Sequence, residues 1–292
     1  MGRDNPNYKL WSQLPYAGET KPPSNPEEPL AGSWPLFFLK REKHHGETVF
    51  TDDKGNPLQL IKDPNQINFE QELKIVQETL ANLTPQQKAI ARYWGTGVAT
   101  KQWTPIIDRL IDTYNTANLI NLLVSAPRAA RILASVQAGI NDTFVVTWYL
   151  KYKYNVARPN QLDQNLATLL CTPRHPSYPS GHAAVAGCAS TILSYFFPGE
   201  KNRLTALAEE VAQSRLFAGV HFPSDNHEGL RLGREIGGAV INVLKKQKDA
   251  EGNPVDQPIQ QNLNAALPPP PYQQVIPFNF PDFCQSKVMD DD

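Results

Sequence analysis

Three short segments hold the residues of this 292-residue chain that could do chemistry. Tyr178-Pro179-Ser180-Gly181-His182 runs into the apolar stretch Ala183 to Phe197. A small polar residue, a glycine and an imidazole therefore stand at the first turn of a predicted helix. Backbone N–H groups there lack intrahelical partners, and the aligned peptide dipoles leave partial positive charge, a setting that binds anions. Upstream, six residues separate Lys151 from Arg158, and Pro159 ends any helix through them. Downstream, Ser214-Arg215 precedes His221 and Asp225. Lys151, Arg158 and Arg215 would supply three positive charges, and the Ser180 O–H and Gly181 N–H two further donors. A tetrahedral or trigonal-bipyramidal oxyanion can use all five. His221 lies four residues before Asp225, so with a helix starting near Ser224 the carboxylate can orient one ring nitrogen and leave the other facing the anion. His182 is then placed to give or take a proton on the far side.

Lys-x6-Arg-Pro, Pro-Ser-Gly-His and Ser-Arg-x5-His-x3-Asp occur here in that order. Together they resemble the signature of the superfamily that joins vanadium-dependent haloperoxidases to type 2 phosphatidic acid phosphatases and bacterial class A acid phosphatases, over Arg128 to Val243. The resemblance implies one of two chemistries. As a haloperoxidase, the chain would bind vanadate(V), with His221 as its protein ligand and Lys151, Arg158, Ser180, Gly181 and Arg215 on its oxygens. Hydrogen peroxide and halide would be the substrates, with His182 assisting peroxide binding and Lys151 polarising it. As a phosphatase, His221 would attack a phosphomonoester, His182 would protonate the leaving oxygen, and water would hydrolyse the phosphohistidine. In either case phosphate and vanadate compete for one site.

The surroundings favour the haloperoxidase. Lipid phosphatases of the superfamily carry several membrane spans and class A acid phosphatases are usually exported, and neither trait is visible here. Trp148-x-x-Lys151 reproduces the spacing by which haloperoxidases line the cofactor cavity with an indole. His175, seven residues before His182, occupies the position where bromide-oxidising members resemble one another in having His and chloride-oxidising ones have Phe. That points to bromide or iodide. The chain is shorter than characterised haloperoxidases, about one bundle's worth, so a homodimer could supply the second. Val156-Ala157 ahead of Arg158 is also less aromatic than the usual haloperoxidase run.

Helices must position these residues. Ile132, Val136, Ile140, Phe144 and Trp148 recur at steps of four across Arg128 to Tyr152, with Lys151 one turn further on the same face. A lysine on a buried stripe must either snorkel outward or meet an anion. Thr84-Pro85-Gln86-Gln87 reads as a capping box with Pro at the first helical position. Helical stretches are also expected from Asn68, at Thr104 to Tyr114, Asn118 to Ser125, Ala183 to Phe197, Arg203 to Phe217 and Asp225 to Lys246, with Ser224 or Asp225 as the last cap. Strand signals are scarce, so the fold class is all-α, a helical bundle of the haloperoxidase and acid phosphatase type.

The predicted organisation is an irregular N-terminal extension over residues 1–66, a catalytic bundle over 67–248 and a proline-rich tail over 249–292. A hairpin is possible at Val49 to Leu58, His44-His45 reads as solvated, and the run Pro268 to Pro271 followed by Tyr272 reads as a stiff tail packed on the domain. Met1 to Pro6 shows no secretory pattern, and Asp290 to Asp292 reads as a solvated end. Net charge is −1 and the isoelectric point near 6.6, which favours neither nucleic acid nor an anionic membrane. The longest apolar run is too short for a membrane span. Cys171, Cys188 and Cys284 are an odd set without metal-ligand spacing, expected as buried filler at 188 and incidental thiols elsewhere. A soluble, cytoplasmic protein is expected.

Overall fold

Eight α-helices and one hairpin are the main regular elements among the described residues of this computed structural model, which are 6–59, 61–116, 123–277 and 284–289. The hairpin pairs β1 (Lys40–His44) with β2 (Glu47–Thr51). The helices are α1 (Phe69–Ala81), α2 (Pro85–Gly95), α3 (Trp103–Thr116), α4 (Ala126–Tyr154), α5 (Pro159–Leu162), α6 (Gly181–Phe196), α7 (Lys201–Phe217) and α8 (Pro223–Leu244). The class is all-α, as the helical periodicity requires. Among the described residues no helix is long and apolar enough to cross a membrane.

Local chemistry sets the helix starts. Thr84 accepts from the Gln87 N–H while the Gln87 side chain accepts from the Thr84 N–H, the expected capping box of α2. Asn68 caps α1, and Ser180 caps α6 by accepting from the Ala183 N–H. At α8 the cap position belongs to Phe222, not to Ser224 or Asp225. The Asp225 side chain reaches back to the Phe222 N–H as the carboxylate half of a capping box.

α6, α7 and α8 with α4 enclose the main core, in which Ile132, Val136, Ile140, Cys188, Ile192, Ile236 and Val240 are buried. The approach of α6 and α8 depends on glycines one helical turn apart on one face, Gly229, Gly233 and Gly237. A Cβ at Gly233 would stand 1.9 Å from the Ala184 carbonyl oxygen, and one at Gly229 2.6 Å from that of Ser180. With no side chains between them, the helix N-termini meet, and the Ser180 N–H donates to the Asp225 carbonyl at 2.9 Å. The start of α6 thus lies beside the start of α8.

Several expectations change. The reversal over 50–58 exists, with the Leu58 N–H donating to the Phe50 carbonyl and a bridge between Thr51 and Pro57. The regular hairpin, however, turns at His45-Gly46, where both residues have positive φ. His44 is exposed and paired with Glu42 at 2.8 Å. The stretch expected to be helical over Asn118 to Ser125 falls mostly outside the described residues, and 123–125 are not helical. Met1 to Asn5 and Asp290 to Asp292 also lie outside the described residues. Cys188 is buried filler as expected, but Cys171 and Cys284 form a disulfide.

The tail packs on the bundle. Ala265 and Leu267 are buried, and the Tyr272 hydroxyl donates to Glu210 at 2.8 Å. Residues 284–289 run along the loop that follows α5, where Thr168 and Val288 bridge and the Thr172 N–H donates to Ser286 Oγ.

Candidate active site

The C-terminal end of α4 brings in Trp148 and Lys151. Desolvation would make a bare ammonium there very costly. Lys151 is completely buried, and it neither snorkels nor waits for an anion alone. Two of its three N–H groups go to the carbonyls of Pro176 and Ser177, at 2.7 and 2.8 Å. Burial, then the adjacent Arg158, hold its pKa well below the usual lysine range.

Arg158 opens α5 and is buried. It donates from Nε to the His175 carbonyl at 3.0 Å, from one terminal nitrogen to the Val220 carbonyl at 2.7 Å and to His221 Nε2 at 3.1 Å, and from the other to His175 Nδ1 at 3.0 Å. An arginine cannot accept, so both imidazole nitrogens facing it carry lone pairs.

His221 and Asp225 stand where the expected spacing placed them. His221 Nδ1 lies 2.8 Å from Asp225 Oδ2, which makes Nδ1 the protonated nitrogen and leaves on Nε2 the lone pair that accepts from Arg158 at 3.1 Å. The same carboxylate oxygen accepts from Ser177 Oγ at 2.5 Å and from the Phe222 N–H at 3.0 Å. Burial raises the Asp225 carboxyl to about 6, against the pull of these donors. His221 is held neutral, well below the usual imidazole range, by burial and then by Arg158, Lys151 and Arg215.

Arg215, on the last turn of α7, differs from the other two cations. It is buried, and its Nε and one terminal nitrogen have no hydrogen-bond partner. His182 Nε2 is likewise buried and unpartnered. Burial and, next, the charge of Arg215 push the His182 pKa well down. A Cβ at Gly95 would lie 2.9 Å from the Arg215 guanidinium, which places this glycine beside it.

Trp148 and His175 form the remaining wall. Their rings are 4.8 Å apart and tilted by 44°. Lys151 Nζ is 6.0 Å from the indole centroid, and a Cβ on Gly181 would touch that indole at 3.3 Å. His175, which could equally have been a surface residue of a proline-rich loop, is buried and held by Arg158. Burial, followed by the charges of Lys151 and Arg158, keeps its pKa well below the usual range.

All the residues singled out from sequence (Trp148, Lys151, Arg158, His175, Ser180, Gly181, His182, Arg215, His221 and Asp225) meet in this one place. Two others had no sequence signal. Ser177 fixes Asp225, and Glu27, from the N-terminal segment, sits at the mouth with its carboxylate 3.9 Å from His175 Nε2.

The donor set suits an oxyanion rather than a bare cation. Three cations are buried here, two nitrogens of Arg215 among them have nothing to bond to, and among the described residues no cluster of three His, Cys, Asp or Glu side chains could hold a metal ion. Vanadate fits such a set, because it asks the protein for one nitrogen ligand and otherwise for donors to its oxygens.

Residues 130–249 match the PAP2 superfamily. That segment is a PAP2 superfamily domain. Within the superfamily, the chain is 35% identical over 106 residues to a vanadium-dependent bromoperoxidase of Corallina pilulifera, a match that takes in 26% of this chain and 17% of the bromoperoxidase. It is 33% identical over 72 residues to a non-specific acid phosphatase of Providencia stuartii, covering 25% of this chain and 27% of that one. Among solved structures, a bacterial vanadium-dependent iodoperoxidase superposes with a TM-score of 0.53 at 23% identity, over 66% of this chain and 55% of its own. A bacterial vanadium-dependent chloroperoxidase superposes with a TM-score of 0.57 at 13% identity, over 82% and 61%. These likenesses give the fold, which is the helical PAP2 fold. The superfamily members matched are haloperoxidases and phosphatases, and the chain spans only 17% and 27% of the lengths of the two curated relatives.

Proposed function

We propose that this protein is a vanadate-dependent haloperoxidase that oxidises bromide or iodide with hydrogen peroxide. The observation that carries the reading is the Trp148–His175 wall, its rings 4.8 Å apart beside Lys151 and tied to Arg158. It extends to the structure the Trp-x-x-Lys spacing and the histidine by which this chain resembles bromide-oxidising haloperoxidases. The bromoperoxidase of Corallina pilulifera among its relatives supports the same choice.

When bound, vanadate supplies an electrophilic centre that activates peroxide toward halide. His221 would be its ligand through Nε2, the nitrogen that Asp225 leaves unprotonated. Arg215 offers its unpartnered N–H groups to the oxygens, and Lys151 and Arg158 each keep at least one N–H beyond those given to carbonyls and imidazoles. The Ser180 O–H and the Gly181 N–H complete the cradle at the start of α6, where the helix dipole adds to the field. His182 Nε2 moves the proton. It is neutral beside Arg215, and the charge of a bound anion raises its basicity again.

The second reading is a phosphatase, which the Providencia stuartii relative favours. There His221 Nε2 attacks phosphorus as the P–O bond to the leaving group breaks, and His182 delivers a proton to the departing oxygen. Water then cleaves the N–P bond.

Dialysed protein incubated with orthovanadate should brominate an indicator dye in bromide and peroxide, and orthophosphate should compete. Hydrolysis of p-nitrophenyl phosphate, with vanadate acting only as inhibitor, would overturn this reading in favour of the second. His175→Phe should shift the halide preference toward chloride.

A further inference from the structure

The site has three buried cations, and one carboxylate stands where solvent reaches it. Glu27 comes from the irregular N-terminal region, yet its backbone is fixed by three hydrogen bonds. Its N–H donates to the Arg174 carbonyl at 2.8 Å, and its carbonyl accepts from Trp148 Nε1 at 3.2 Å and the Tyr152 hydroxyl at 2.7 Å. The segment that follows lies against α4 so closely that a Cβ at Gly32 would stand 2.6 Å from the Tyr149 Cα. The backbone so fixed brings the carboxylate, 52% exposed, to within 3.9 Å of Nε2 of the buried His175.

Other acidic groups near the site do not do this. Asp225 is completely buried behind His221 and engaged by three donors. Glu28, next in the chain, is exposed. Glu27 also feels the site's charges: partial burial raises its carboxyl, while Arg158 and Lys151 pull it down. By reciprocity, its negative charge acts on whatever the cations hold.

We propose that Glu27 sets the charge selectivity of the site, disfavouring dianions relative to monoanions and neutral reagents. This rests on the oxyanion reading of the site. A fixed charge outside a cationic cradle opposes each arriving anion in proportion to the ligand's own charge. It penalises a phosphomonoester dianion about twice as much, on a logarithmic scale, as a halide, and leaves hydrogen peroxide unaffected. The carboxylate so placed suits a site that handles halide and peroxide and turns away phosphate esters.

Molybdate and perrhenate separate charge from shape, since both are tetrahedral oxyanions, one carrying two charges and the other one. Their affinities can be measured by isothermal calorimetry on the full chain at neutral pH and low salt. Glu27→Gln is expected to tighten perrhenate about threefold and molybdate about tenfold, with the gap closing at high ionic strength. Glu27→Asp, which keeps the charge, should retain the wild-type ratio, and Glu28→Gln should change neither affinity by more than about twofold. An unchanged molybdate-to-perrhenate ratio in Glu27→Gln, or an equal change in Glu28→Gln, would overturn the assignment. If the wild-type protein binds neither molybdate nor orthovanadate, it is the oxyanion reading that fails.

Discussion

His221 Nδ1 lies 2.8 Å from a completely buried Asp225 carboxylate, so Asp225 decides which nitrogen of His221 carries the proton. Asp225→Ala removes the acceptor altogether, so nothing holds the proton on Nδ1 and the tautomer that leaves Nε2 able to attack or ligate is no longer fixed. Turnover should fall by about a thousandfold in whichever of the two reactions the enzyme performs. Steady-state kinetics check this, and a variant within tenfold of wild type would show that the pair does not govern the tautomer.

The two site histidines should separate by role. His182→Ala removes a proton carrier but no ligand, so orthovanadate affinity by calorimetry should stay within about threefold while turnover falls about a hundredfold or more. His221→Ala should abolish retention of vanadate through dialysis, or phosphohistidine formation in the phosphatase reading. Equal loss of binding in both variants would contradict the assignment.

Much of this site was legible because its charged residues are ones a helical core would otherwise reject. Lys151 on an apolar stripe, Arg158 before a proline and a His221–Asp225 pair at a helix start each carry a local contradiction that an anion resolves. The helices were legible from period and caps, to within a few residues at each end. What could not be read was set by contacts distant in sequence. Glu27 meets Trp148 across 121 positions, and Cys171 meets Cys284 across 113. Neither Glu27 nor Ser177 breaks any local rule, so nothing in the sequence marks it. The placing of the hairpin turn at His45-Gly46 rather than further along depends on a two-residue connection without a strong turn signal.

Protonation should unfold the ligand-free protein in mild acid. His175, His182 and His221 all have folded-state pKa values well below the ordinary 6.5, chiefly through burial. The unfolded chain therefore binds more protons, and the stability contributed by these groups is present above about 6.5 and lost as pH falls below it. Asp225 acts in the opposite sense: its carboxyl is raised to about 6, so its contribution is present below about 4 and lost as pH rises through about 6. Three histidines outweigh one carboxylate, and the melting temperature should drop between pH 7 and pH 5. Saturating orthophosphate should flatten that drop, because its charge offsets the cations that depress the imidazoles. Thermal scans across pH, with and without phosphate, measure both effects, and a level profile without phosphate would contradict the buried neutral imidazoles.

The close packing of α6 on α8 brings His182 and His221 together. A Cβ at Gly233 would overlap the Ala184 carbonyl at 1.9 Å and approach the Cys188 amide at 2.9 Å, both backbone atoms that cannot rotate away. Gly233→Ala must push α6 from α8, which costs about 3 kcal/mol or more. Gly238 lies five residues further along the same helix, and a Cβ there meets nothing within 4 Å. Gly238→Ala should instead stabilise the protein by about 0.5–1 kcal/mol, since alanine loses less backbone entropy in a helix. Denaturant titrations of the two variants should move in opposite directions. Because the N-termini of α6 and α8 are joined through the Ser180 N–H and the Asp225 carbonyl, Gly233→Ala should also weaken orthovanadate binding under conditions where it is still folded, whereas Gly238→Ala should leave that binding unchanged. If Gly233→Ala proved neutral in both measurements, close packing of these helices would not be what assembles the site.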